Sequence, residues 1–336
     1  MSAKTPYTVF RQLLLSLLVL TLAACATRNA DISDSRPPAP VSQSSLGRSV
    51  HYLSVKIGPR NLKHYDGLQR AAKYIHQEFT NLGYKVERQQ YQVEAKAVEN
   101  LIIGIGPKDA PRIIIGAHYD SFGDQPGADD NASGVAGLIA LAKLLKLSEN
   151  KLDKRIELVA YTLEEPPYFR TQLMGSYQHA KRLHNNKVKV IGMIALEMIG
   201  YFSDEEDSQN YPIGLMGMFY PDVGNFIGVV SNFSSSSLKN RLAEQIKKAD
   251  IDVQTLMAPA ILTGVDFSDH MNYWEFGYDA VMITDTAFYR NHHYHKHSDV
   301  ISTLNLEKMA AVVRGVYYGV LDLAIEKEPE GAESMR

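Results

Sequence analysis

Three short runs of β-branched and aliphatic residues, at 111–117, 156–163 and 188–196, punctuate the chain, with segments of helical periodicity between them. Continuous apolar runs suit strands buried on both faces, where every side chain leaves water whichever way it points. Strands alternating with helices run largely parallel, because each helix carries the chain back across the sheet. The expected fold class is therefore α/β: a three-layer α/β/α sandwich with a mixed, largely parallel central sheet. Further strands are expected at 86–93, 98–105 and 280–283, and helices at 65–82, 134–147, 176–184, 238–248 and 304–325. The first of these helices sets Leu68, Ala71, Ala72, Ile75 and Phe79 on one face, and Gly83 follows as its stop. Residues 203–211 read as a surface loop.

Sheets of this kind bind ligands outside the carboxyl ends of their strands. The acidic and imidazole residues fall at those places. His118 follows the 111–117 run, and Asp120, two positions on in extended chain, points to the same side and can accept the other ring proton. An isolated strand-end His also suits an ordinary hydrogen bond. Asp129 and Asp130 precede a small-residue helix start, where a carboxylate serves as an N-cap or as a bridge between cations. Glu164 and Glu165 leave a buried strand together, and adjacent like charges are costly there unless a cation or water compensates them. Glu197 ends the third run between apolar Leu196 and Met198. The tract 291–299 holds four His, and its spacing alone does not single out a ligand.

Only one Cys is present among 336 residues, so a thiolate metal site and an internal disulfide are both excluded. Any metal must be held by His, Asp and Glu. The formal net charge of -3, without a basic stripe, argues against nucleic acid as a partner. That Cys is Cys25, and it follows a weakly basic start and an apolar stretch too short to cross a bilayer. Leu22-Ala23-Ala24-Cys25 resembles the bacterial lipoprotein signal. The resemblance implies cleavage after residue 24, lipid attachment at Cys25, export, and anchoring to a membrane. The outer membrane facing the periplasm, or the cell surface, is the expected location. Residues 25–45, rich in Ser, Pro, Ala and Asp, read as a disordered tether, 46–330 as a single domain and 331–336 as a tail.

Taken in order, Gly-Ala-His-Tyr-Asp-Ser, Pro-Gly-Ala-Asp-Asp-Asn-Ala-Ser-Gly, Glu-Glu, Leu-Glu-Met, Ser-Asp-His and Tyr-His-x-x-x-Asp resemble the bacterial leucyl-aminopeptidase type of zinc exopeptidase. That family is related to glutamate carboxypeptidases and glutaminyl cyclases. The resemblance covers roughly residues 61–325 and implies two zinc ions per chain. His118 and Glu197 are implied as ligands of one, Glu165 and His295 of the other, and Asp130 as the bridge. Glu164 is implied as the general base, with Asp120 and Asp299 supporting ligands from behind.

Three positions depart from the family pattern. Glu197 stands where better-known members carry Asp, and Val265 where the leucyl aminopeptidases carry an oxyanion-stabilising Tyr. Residues 166–174 form an insertion, in which Arg170 and Tyr168 are candidate substrate contacts. Asp269 and His270 of the Ser-Asp-His match complete the candidate pocket. The expected activity is hydrolysis of N-terminal peptide bonds by a metal-activated water. Glutaminyl cyclisation, carboxypeptidase or aminoacylase-like hydrolysis, and an inactive peptidase scaffold are the alternatives.

Overall fold

In the computed structural model, residues 40–326 are described. The expected signal, Cys25, most of the tether and the 331–336 tail lie outside them. Packing begins before residue 46. Ser42 caps α1 (Gln43–His51) by accepting the Ser45 amide, and Leu46 and Val50 of this helix are buried. The Ser-rich composition that suggested a tether includes a helix cap and the start of an apolar stripe.

The chain continues through α2 (Tyr65–Asn81), β1 (Glu87–Val93), β2 (Lys96–Ile105), β3 (Arg112–His118), α3 (Gly134–Lys146), β4 (Arg155–Tyr161), α4 (Gly175–Asn185) and β5 (Val190–Glu197). It closes with β6 (Ile227–Ser231), α5 (Ser236–Ile246), β7 (Val253–Met257), α6 (His270–Glu275), β8 (Ala280–Thr284) and α7 (Leu306–Ala324). Every expected strand and helix is present within a few residues. The short elements β6, β7 and α6 escaped notice because five or six residues hold too little periodicity to register, and the nine-residue α1 because it begins inside the Ser-rich stretch read as a tether.

The eight strands lie in the order β1-β2-β4-β3-β5-β8-β6-β7. β3 pairs in parallel with β4 and β5, and β5 with β8, so the centre of the sheet is parallel. The β1–β2, β2–β4 and β6–β8 pairs are antiparallel, which makes the sheet mixed. Alternation along the strands divides the core. Ile113 and Ile115 of β3, Ile156 and Leu158 of β4 and Ile194 of β5 face a cluster built with α1, α2, α3, α5 and α7. Ile114, Val159, Met193 and Ala195 face a second cluster with Ala180 and Leu183 of α4 and Tyr273 of α6. Helices therefore cover both faces, giving three layers. By the same alternation, His118 and Glu197 share the face of Ile114 and Ala195 at the carboxyl ends of neighbouring strands.

Close packing beneath the site depends on one missing side chain. A Cβ on Gly116 would lie 2.0 Å from the Tyr161 ring, whose hydroxyl bonds that of Tyr273 at 2.6 Å. Overpacking at such a point costs about 1–3 kcal/mol. Gly116→Ala should lower the urea midpoint of unfolding accordingly, and an unchanged midpoint would show that the Tyr161 ring moves freely.

Candidate metal centre

Each strand end delivers one part of the site. His118 closes β3, with Asp120 Oδ1 at 3.5 Å from its Nδ1. Asp120 also accepts the amides of Glu164 at 3.1 Å and Glu165 at 3.0 Å, and so joins the β3 end to the β4 end. Glu197 closes β5, and Ser268 Oγ donates to its Oε2 at 2.7 Å. This bond restrains the Glu197 carboxylate.

Asp130 sits in a tight turn between β3 and α3. Gly127 enters that turn at φ +57°, and a Cβ there would meet the Asp130 carbonyl at 2.2 Å. Asp299, expected to support a ligand from behind, lies under this turn and accepts the Asp129 amide at 2.8 Å and the Asp130 amide at 3.1 Å. Two buried amides at the head of the turn hold the carboxylate there. Asp129 faces away from the ligands and accepts the Gly200 amide and the Asn291 side chain. Asn131 ties α3 to β5 by accepting from Gly134 and Met198 and donating to Leu196. Of the Asp pair, one is scaffold and one is donor.

Asp130 stands between the two imidazoles. Its Oδ1 is 3.4 Å from His118 Nε2 and its Oδ2 is 3.2 Å from His295 Nε2. Glu197 Oε2 lies 3.3 Å from His118 Nε2, and Glu165 Oε2 lies 3.2 Å from His295 Nε2. The donors form two groups, His118–Asp130–Glu197 and Asp130–Glu165–His295, with ligand atoms in each within 4.8 Å of one another. All five expected ligands are brought together, and Glu164 Oε2 stands 3.9 Å from His118 Nε2.

Cations fit this cluster on chemical grounds. Both ring nitrogens of His118, Nε2 of His295 and Oε1 of Glu165 are buried without a hydrogen-bond partner. Such atoms are costly unless a ligand satisfies them. Burial, with Asp130 adding, pushes the Glu165 carboxyl up to about 8. Burial likewise lifts Glu164 well above the carboxylate range, with Glu197 and Glu165 adding to it. Burial alone would depress His295, yet the Asp130 and Glu165 carboxylates beside it raise it to about 10. Glu164, Glu165 and His295 are thus driven to take up positive charge, while at Asp130 burial is outweighed by His118 and His295, which hold its carboxyl below the ordinary value. Imidazole nitrogens and carboxylate oxygens without thiolates match zinc and similar divalent ions.

Beside Glu197 opens a cavity of about 90 Å³, lined by Val265, Phe267, Met282, Phe288 and Tyr294 among others. The expected pocket residues behave differently from one another. Asp269 is buried near the ligands, and burial raises its carboxyl to about 7 although His118 opposes this. His270 is spent internally, bonding the Val265 carbonyl at 2.8 Å and standing edge-on to Trp274. Tyr168 donates its hydroxyl to Glu94 in the β1–β2 turn. Arg170 pairs with Asp266 at 2.7 Å and lies over the Phe169 and Phe267 rings, so it braces the pocket wall through Asp266.

Sequence reasoning missed Arg60. Wholly buried, its side chain donates to the carbonyls of Gly58, Tyr119, Pro126 and Gly127 and so holds the loop from His118 to Asp130. Nothing in its Gly-Pro-Arg-Asn context signals this role. Ser268 was missed for the same reason, since it acts only through Glu197, distant in the chain.

An α/β sandwich with a carboxylate-bridged pair of donor groups at its strand ends defines the metallohydrolase class of site. The family model described as Peptidase family M28 matches residues 100–320, and the chain belongs to this family of peptidases. An uncharacterized Escherichia coli protein, YfbL, is 45% identical over 288 residues, covering 83% of this chain and 88% of that protein. Leucine aminopeptidase 1 of Trichophyton equinum is 30% identical over 242 residues, 68% of this chain and 58% of its own length. The chain thus spans little more than half of that relative. BSAP, a zinc aminopeptidase from Bacillus subtilis, shares the fold at TM-score 0.68 and 15% identity, with 87% of this chain and 98% of that one covered.

Ligands that bind only the folded state stabilise it, by about 2.7 kcal/mol at a hundredfold excess over Kd. Zinc added to metal-stripped protein is therefore expected to raise the thermal midpoint. Asp130→Asn should abolish most of that rise, and an undiminished rise would place the metal elsewhere.

Proposed function

We propose that the protein is a zinc-dependent aminopeptidase that removes apolar residues from peptide N-termini. The observation that carries this reading is the juxtaposition of Glu164 with two donor groups that share Asp130. Zinc bound to the pair would polarise the scissile carbonyl and acidify a water. His118, Asp130 and Glu197 would hold one ion, and Asp130, Glu165 and His295 the other.

Glu164 belongs to neither donor group, so its carboxylate stays available to protons. Its amide is fixed by Asp120, which holds the side chain at the edge of the centre. Glu164 takes the proton of the attacking water and delivers it to the departing amine. The surrounding acidic groups, Asp269 included, attract the α-ammonium of a peptide. The apolar cavity beside Glu197 takes the side chain of the first residue, with the buried Val265 and Met282 forming part of its lining. Val265 carries no donor for an oxyanion, and that stabilisation falls to the cation side of the site.

Release of a chromogenic amine from aminoacyl substrates tests this. Leucyl and phenylalanyl derivatives should exceed aspartyl ones, and activity should vanish with chelation and return with zinc. Glu164→Gln should lower kcat by about 10²–10⁴ while the zinc content stays intact. Wild-type turnover by that variant would remove Glu164 from the proton path.

We further propose that the chain is exported and lipid-anchored through Cys25. Cys25→Ser should abolish labelling by a radioactive fatty acid and release the protein from the membrane fraction. Labelling that persists in the variant would refute the anchor.

A further inference from the structure

A ligating imidazole needs its ring held in one plane, since a swinging ring carries its nitrogen away from the metal. His118 is fully buried at the end of β3, with Asp120 behind its second nitrogen. His295 lacks both supports. It stands in a loop at φ +55° with a side chain 21% exposed, and Asp299 is committed to the Asp129 and Asp130 amides. A sandwich of rings takes over. Phe122 lies 3.8 Å from the imidazole at an interplanar angle of 1°, and Tyr294 lies 3.8 Å away at 17°. Two rings that close to one imidazole must occupy opposite faces.

The position of Phe122 is itself secured from both sides. Asn61 Nδ2 donates to the Ser121 carbonyl at 2.9 Å and to the Gly123 carbonyl at 2.6 Å, the residues flanking Phe122. Arg60 adds its amide to Ser121 Oγ at 3.1 Å and receives the Ser121 amide on its carbonyl at 3.1 Å. Phe122 is only half-buried, so core packing does not explain its placement.

We propose that Phe122, held by Asn61, is the positioning residue of the Asp130–Glu165–His295 site, fixing from the ring face what a hydrogen-bonding carboxylate fixes from the ring edge at His118. The inference rests on the two-cation reading above. Stacking fixes the plane of the ring without occupying its second nitrogen. A cation on Nε2 withdraws electron density from the imidazole and strengthens its contact with the Phe122 face. Ring and ion therefore order each other, and the two metal sites differ in what holds them.

Metal occupancy of the full chain, read without turnover, tests this. Apo-protein is titrated with zinc against a chromophoric chelator, and Glu197→Ala and Glu165→Ala supply the isotherms of each site alone. Wild-type protein should take two ions. Phe122→Ala and Asn61→Ala should weaken the site containing His295 about 10–100-fold and leave the other unchanged, whereas Phe122→Tyr should stay within about threefold of wild type. Phe122→Leu keeps apolar bulk without a ring and should behave as Phe122→Ala. Unchanged affinities in Phe122→Ala, equal weakening of both sites, or wild-type affinity in Phe122→Leu would each overturn the proposal. A wild-type chain that takes one ion or none would instead overturn the two-cation reading.

Discussion

Mutual repulsion among buried carboxylates is the constraint around which the molecule is organised. Asp130, Glu164, Glu165 and Glu197 converge where water is scarce, and none has a Lys or Arg salt-bridge partner among the described residues. Left alone, such a cluster would push its members apart or take up protons. The surrounding polypeptide prevents the first outcome. Asp120 holds the Glu164–Glu165 backbone, Asp299 holds the Asp129–Asp130 backbone, and Asn131 joins the turn to β5. These ties act on main chain, leaving the ligating side chains free to meet a cation.

The buried guanidinium of Arg60 belongs to the same scheme. It places a positive charge behind the loop from His118 to Asp130, near Asp299, Asp120 and Asp130, while its hydrogen bonds go to carbonyls. An Arg at that distance compensates charge without competing for the donor atoms. Its neighbour Asn61 carries the arrangement outward to Phe122 and so to His295. One short turn thus supports both ends of the donor set.

Pocket and centre share residues as well. Along one strip, Val265 and Phe267 line the cavity, Asp266 receives Arg170, Ser268 restrains Glu197, and Asp269 lies near the ligands. Chemistry and side-chain selection are coupled through this strip. A change in its backbone would alter both the shape of the cavity and the set of Glu197. The insertion at 166–174, through the Arg170–Asp266 pair, holds the strip in place and acts on the site at one remove.

Much of this could be read from residue order. The buried strands showed themselves because a run such as Ile113-Ile114-Ile115 is stable only with both faces covered. His118, Glu164, Glu165 and Glu197 were legible as candidate donors because each closes or follows a strand, where the parallel sheet sends its functional groups. Asp130 and His295 were singled out by the resemblance of their motifs to the zinc exopeptidases. The roles of His270, Tyr168 and Arg170 were not legible. A polar side chain has several partners within reach, and geometry selects among them. Phe122, Ser268 and Arg60 were invisible because each matters through a contact some 60 to 170 residues away. Local patterning, which acts over a few residues, determined the elements and the chemistry they carry. Only tertiary packing decided which hydrogen bonds hold the donors, because those bonds join segments that meet only when the sheet has formed.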